Sequence, residues 1–339
     1  MGNPADHSVF GSDTHGLAVS LVPVLKELSG DRLGPIEWFR AAWQHSGSET
    51  AFSTWRLDDG STVPVVVKLP VGFNEYRWTK ALGTCSVEAW NDPAECRRAT
   101  PRLLASGIEL GGYDLAWLII ERLPGMPLST DLSERAVLDL LHAAADFQRV
   151  ATPVFPLAER PKSPDWERLI EQALETCSDH LLAEWEDWRE AVRSVQRALP
   201  DLKDRWESRA INCWCHGDLH PGNAMRRAFA GKDISGRGGC TLIDLSLVHP
   251  GHWVEDALYL ERLFWGHEER LHEVNPVEEL AKFRKDSGLD VDEGFEEVAR
   301  IRRVLMAACA PAMLEREGNQ KYVHAALETL EKTLPLVLK

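Results

Sequence analysis

The sequence is short of several things, and each shortage removes a class of protein. No apolar run approaches the ~18 residues of a membrane span, and the best stretch, Val304 to Leu314, is interrupted by Pro311. Basic residues are in deficit: 38 Lys and Arg against 53 Asp and Glu leave a net charge of −15. That balance argues against a nucleic-acid binder, which carries a basic patch, and is compatible with a cationic small molecule. The seven cysteines are odd in number and follow no regular spacing, so no disulfide framework is expected and a reducing cytosol is the natural setting. The opening Met1-Gly2-Asn3-Pro4-Ala5-Asp6 lacks the apolar core of a signal peptide, and Asp6 stands where a myristoylation signal needs Ser or Thr. Internal repeats are missing too. The expectation is a soluble, cytoplasmic monomer or homodimer with no nucleic-acid and no membrane partner.

What is present is ordinary in bulk: 339 residues, 44% hydrophobic and 27% charged, enough for two domains or one two-lobed enzyme. Leu17 to Leu28 reads as a helix closed by Gly30 and Gly34. From Trp38 to Leu69 the pattern is that of strands, Phe39–Trp43, Thr50–Leu57 and Val63–Leu69, with Asp58-Asp59-Gly60-Ser61 as the tight turn between the last two. A helix over Asn74–Leu82, a second near Ser86–Ala99, and strands at Pro101–Ser106 and Leu115–Ile120 complete a small α+β region of about 125 residues. Beyond it the chain is mainly helical. Ser133 can cap a helix reaching Val150, and a long amphipathic stretch runs from Trp166 to Leu199. Residues 254–272, 293–317 and 319–333 are further helix candidates.

The chemistry is concentrated in Cys215-His216-Gly217-Asp218-Leu219-His220-Pro221-Gly222-Asn223 and in Leu242-Ile243-Asp244. An aspartate stands five residues before an asparagine, and a second aspartate ends an apolar run 21 positions later. Such a set suits phosphoryl transfer from a nucleoside triphosphate. Asp218 can orient an acceptor hydroxyl and take its proton, while Asn223 and Asp244 offer oxygen atoms to Mg²⁺ on the phosphates. In isolation each residue has a blander reading, Asp218 and Asn223 as turn formers and Asp244 as a strand-end carboxylate. The spacing of all three carries the signal. A competing reading takes Cys213, Cys215, His216 and His220, with His249 and His252, as zinc ligands. The C-x-C spacing is tighter than usual, and on a strand both thiols would share a face and pack as small hydrophobes.

Protein kinases use the same Asp-to-Asn spacing in their catalytic loop. Here Gly217 replaces the arginine of that loop, and the form HGDxHPxN resembles the aminoglycoside phosphotransferase and choline kinase family of small-molecule kinases. The resemblance runs from about residue 40 to about residue 265. It implies an α+β, bilobal protein kinase-like fold, with a small β-rich N-terminal lobe built on an antiparallel sheet and a larger, mainly helical C-terminal lobe. The corresponding division is residues 1–123, including an extra segment 1–35, and residues 124–339.

It further implies that Lys68, ending Val65-Val66-Val67, contacts the phosphates of ATP or GTP, with Glu75 as the first choice for its helix partner and Glu88 as the second. Ser46-Gly47-Ser48 would cover the phosphates, although no GxGxxG is present. Glu121 and Leu123 would lie on the hinge beside the base. His216 would brace the catalytic loop, and Asp256, in Pro250-Gly251-His252-Trp253-Val254-Glu255-Asp256, would stabilise a helix start. Leu245-Ser246 follows Asp244 where a protein kinase has Phe-Gly, and no A-P-E segment follows, so the expected acceptor is a small hydroxylated molecule rather than a peptide. Acidic residues Glu184, Glu186, Asp187, Glu190, Glu255 and Glu261 could meet a cationic acceptor, and Trp253 and Trp265 could stack on it. The alternative is a non-catalytic pseudokinase that binds nucleotide or a partner.

Overall fold

Alternation of burial along two consecutive strands sets the architecture of the first unit. The structure is a computed structural model that describes residues 8–39, 48–84, 99–157, 160–178, 182–226, 239–314 and 319–338. The chain divides into two compact units, residues 1–126 with 225–248, and residues 127–224 with 249–339.

In the first unit, β1 (Glu37–Phe39), β2 (Glu49–Arg56), β3 (Thr62–Leu69), β4 (Leu103–Gly107) and β5 (Trp117–Glu121) form an antiparallel sheet in the order β1-β2-β3-β5-β4. Trp43, expected to end the first strand, lies outside the described residues. The β2–β3 turn forms as expected, with Gly60 at φ 85° and Asp59 Oδ1 accepting the Ser61 N–H and hydroxyl. Because strand side chains alternate between faces, Val65, Val67 and Leu69 are buried on one face with Ala51 and Trp55. That face is covered by the N-terminal helices α1 (Ser8–Ser20) and α2 (Val22–Leu28), whose Ala18, Leu21 and Leu25 join the same core. Helices α1 and α2 are therefore a structural cover for the sheet. Lys68 falls on the opposite face by the same alternation, the face where α3 (Phe73–Gly83) places Tyr76 against Leu118.

The second unit is helical: α4 (Glu134–Ala151), α5 (Trp166–Ser178), α6 (Trp185–Glu207), α7 (Val254–Leu263), α8 (Pro276–Asp286), α9 (Phe295–Ala308) and α10 (Gln320–Val337). Ser133 caps α4 by accepting the Ala136 N–H. Its core gathers Trp188 and Trp206 of α6 with Ile170 of α5, Val304 of α9 and Leu330 of α10. Two helices come from the amphipathic stretch that starts at Trp166, and the second runs past Pro200 to Glu207 because Leu202 and Trp206 beyond it are buried. The helix expected over 254–272 stops at Leu263. Gly266 adopts φ 78°, and a Cβ there would lie 2.5 Å from the Lys321 carbonyl oxygen, so the chain turns where only glycine fits. The helix expected over 293–317 likewise gives way at Ala308 to a 3-10 turn containing Pro311.

Candidate active site

In the second unit the strand β6 (Cys213–Cys215) pairs antiparallel with β9 (His249–Gly251), and the Asp218 loop leaves the end of β6. Cys213 and Cys215 do share one face, with sulfur atoms 3.8 Å apart and both residues buried. The hydrogen bond with the Cys213 thiol, and then burial, push the Cys215 thiol well above its ordinary range, so it remains a neutral packing group. The loop then needs a left-handed residue, and Gly217 supplies it at φ 81°. This is the position at which the protein-kinase arginine is missing.

Asp256, fully buried in the first turn of α7, holds the loop backbone. Its Oδ2 accepts the His216 N–H and its Oδ1 the Gly217 N–H, each at 3.0 Å. Gln148 of α4 donates to Oδ2 at 2.9 Å, and Arg284 of α8 donates in turn to Gln148 Oε1. A buried carboxylate without such donors would be costly; with them it becomes the anchor of the loop. His216 continues the brace, its Nδ1 accepting the Asp218 N–H at 3.3 Å.

The Asp218 carboxylate has a donor at each oxygen. Tyr259 of α7 donates its hydroxyl hydrogen to Oδ1, and Asn223 Nδ2 donates to Oδ2 at 2.8 Å. His220 Nε2 lies 3.6 Å from Oδ2. The His220 Nδ1 accepts the Gly222 N–H at 3.0 Å, which leaves the ring hydrogen of the neutral form on Nε2, facing Asp218. Burial alone would raise the Asp218 pKa. His220 beside the carboxylate, the Tyr259 hydrogen bond and the nearby His216 ring outweigh it and hold the carboxyl at about 2. Asp218 is thus ionised at neutral pH.

Asn223 ends a 3-10 turn, Pro221–Asn223, that leads into β7 (Ala224–Arg226), and is buried. A carboxylate only accepts, so the amide nitrogen must face Asp218, which also places Nδ2 3.1 Å from the Asp218 carbonyl oxygen. The amide oxygen is left as the donor atom for a hard cation, in keeping with the oxygen ligands Mg²⁺ prefers.

The remaining candidates lie in the first unit. Lys68 forms a buried ion pair with Glu75 on α3; their side chains are 15% and 7% exposed. Burial disfavours the Lys68 charge, but the Glu75 and Asp244 charges and the Glu75 hydrogen bond outweigh it and raise its pKa. Lys68 therefore feels both the Glu75 and the Asp244 charge. Asp244 follows β8 (Cys240–Leu242) at φ 61°, and its Oδ1 accepts the Ser246 hydroxyl at 2.7 Å. Glu121 is turned inward, its Oε2 accepting the Arg102 N–H at 3.1 Å, and Leu123 is buried. Ser48 directly precedes β2, whereas Ser46, Gly47 and Glu88 lie outside the described residues.

The acceptor candidates are mostly engaged elsewhere. Glu255 is held at about 2, burial being outweighed by the His249 hydrogen bond and by Arg302 and Arg209. Glu261 pairs with Arg303 through both oxygens at 2.7 Å, and Glu184 lies 2.9 Å from His324. Trp253 is fully buried with its N–H directed at Asp292, and Trp265 stacks on Tyr322 inside the core, so neither indole offers a face to a ligand.

These donor sets sit on a protein kinase-like α+β fold. The family model described as the phosphotransferase enzyme family matches residues 47–295, and the chain belongs to that family. No curated protein matches the chain. Among solved structures it is similar to a candidate aminoglycoside phosphotransferase from Ralstonia eutropha JMP134, at 12% identity and TM-score 0.52, over 92% of this chain and 98% of that one. It is also similar to an aminoglycoside phosphotransferase from Alicyclobacillus acidocaldarius, at 12% identity and TM-score 0.51, over 90% of this chain and 92% of that one. A third likeness is to a spectinomycin phosphotransferase solved with ADP and spectinomycin, at 10% identity and TM-score 0.50, over 88% of this chain and 89% of that one. At these identities the likenesses establish the fold.

Proposed function

We propose that the protein transfers the γ-phosphoryl group of ATP or GTP to a hydroxyl of a small molecule. The observation that carries this reading is the Asp218 carboxylate, held ionised at about 2 by donors from Tyr259 and His220 and joined by the Asn223 amide. A carboxylate so depressed is a weak base. It serves to orient the acceptor hydroxyl on its remaining lone pairs and to take the proton late, as a loose phosphoryl-transfer transition state requires.

Lys68, kept charged by Glu75, steadies the nucleotide phosphates. Asn223 and Asp244 are the residues that would hold Mg²⁺, whose contribution when bound is to neutralise phosphate charge. Ser48 would lie beside the phosphates, with Ser46 and Gly47, and Glu121 and Leu123 beside the base. An intact Asp218–Asn223 pair and a charged Lys68 support catalysis over a binding-only role.

Family membership and the net charge of −15 support an acceptor that is a hydroxylated, amine-bearing molecule of the aminoglycoside, amino-sugar or choline type. The test is nucleotide consumption measured against a panel of aminoglycosides, amino sugars, choline and simple sugars. An acceptor-dependent rise in ADP or GDP supports the reading. Consumption unaffected by every acceptor, with no phosphorylated product by mass spectrometry, would refute it.

A further inference from the structure

We infer that Asn74 is the positioning residue for Asp244. The two are separated by 170 positions in sequence, yet both lie in the first unit. Asn74 is in the first turn of α3, and its Nδ2 donates one hydrogen to the Ser246 carbonyl at 2.8 Å and the other to the Val248 carbonyl at 2.9 Å. One amide group thus clamps alternate carbonyls of the segment that follows Asp244.

That segment needs a clamp. Asp244 holds a left-handed backbone, φ 61° and ψ 77°, which a non-glycine residue keeps only when its surroundings over-determine it. Upstream it is tied to β8, where the Leu242 N–H donates to the Ala99 carbonyl. Downstream the 3-10 turn Leu245–Leu247 closes on the Asp244 side chain, with Ser246 N–H and hydroxyl both directed to Oδ1. These local bonds shape the turn itself. Asn74 attaches it, to the helix that also carries Glu75.

Adjacent helical residues diverge by about 100°, so Glu75 reaches back to Lys68 on β3 while Asn74 reaches the turn. Helix α3 therefore sets the Lys68 charge and the Asp244 carboxylate together, and Lys68 feels Asp244 electrostatically. The role rests on the reading of Asp244 as a metal-holding residue, and the experiment separates the two.

Mn²⁺ is titrated into protein saturated with a non-hydrolysable ATP analogue, and free Mn²⁺ is followed by electron paramagnetic resonance. Binding of a fluorescent nucleotide in EDTA is measured in parallel. Asn74→Ala is expected to weaken Mn²⁺ binding about tenfold while metal-free nucleotide binding stays within about twofold. Asn74→Ser, which retains one donor and guards against a folding failure in the first variant, is expected to lose less. Unchanged Mn²⁺ binding in both variants, with a clear loss in Asp244→Asn, would overturn the Asn74 role and leave the metal reading standing. Equal losses of Mn²⁺ and metal-free nucleotide binding would reduce Asn74 to a general structural residue. Undiminished Mn²⁺ binding in Asp244→Asn would remove both ideas.

Discussion

Tyr259 donates its hydroxyl hydrogen to Asp218 from a position one helical turn beyond Asp256, the residue that holds the backbone of the same loop. One face of α7 thereby fixes both the path of the Asp218 loop and the charge state of its carboxylate. Removal of the hydroxyl in Tyr259→Phe is expected to raise the Asp218 pKa from about 2 toward the ordinary carboxylate value of 3.8. The acid limb of the pH–rate profile should move upward with it. Loss of a charge-assisted hydrogen bond of ~1.5–3 kcal/mol would lower kcat/KM by roughly tenfold or more. The sign for stability follows: a depressed carboxyl contributes above its unfolded pKa, and the contribution is lost as pH falls from about 4 toward 2. Carbon-detected NMR titration of Asp218 reads the shift directly.

Asp256→Ala should chiefly cost stability. It would strip acceptors from the buried His216 N–H and Gln148 amide and from the half-buried Gly217 N–H. Unsatisfied buried donors imply a loss of ~3 kcal/mol, visible in chemical denaturation.

Glu75→Gln leaves the Lys68 ammonium buried without its principal counter-charge. Breaking such a pair destabilises by ~3–5 kcal/mol, and nucleotide affinity should fall with it. Calorimetric nucleotide binding beside a thermal melt measures both effects.

Leu25→Ala tests the N-terminal helices as the cover of the sheet. Leu25 is fully buried in the core with Val65 and Ile119, and its truncation should cost ~2–5 kcal/mol. Nucleotide binding at low temperature should survive, because Lys68 lies on the other face.

How much of this was legible in the sequence depends on the range of the interaction concerned. The apolar run from Val63 to Val67 after the Asp59-Gly60 turn marked a strand with Lys68 at its end. The strand and the Asn74–Leu82 helix are short-range patterns, whereas the pairing of Lys68 with Glu75 came from the family resemblance. Ser133 as the α4 cap and the Asp59-Gly60 turn are equally local. Tyr259 escaped notice because its partner is 41 residues away and an aromatic on a helix face has no distinguishing period. Its i, i+3 relation to Asp256 was the available clue. Helix α8 was overlooked although Asn275, whose side chain accepts from Val277 N and Glu278 N, precedes a proline at the first helical position, a strong start signal in a segment of weak apolar patterning. The clamp from Asn74 and the Arg284–Gln148–Asp256 relay are tertiary pairings between distant segments, and no one-dimensional pattern announces them. Acceptor contacts assigned to Trp253 and Trp265 failed for the opposite reason: large aromatics fill cores before they serve ligands.

The central claim concerns the Asp218 carboxylate, and Asp218→Asn in the presence of a stimulating acceptor tests it most directly. Phosphoryl transfer should drop about a hundredfold or more, while nucleotide affinity stays near that of the unaltered protein. Turnover retained at the original rate would contradict the account.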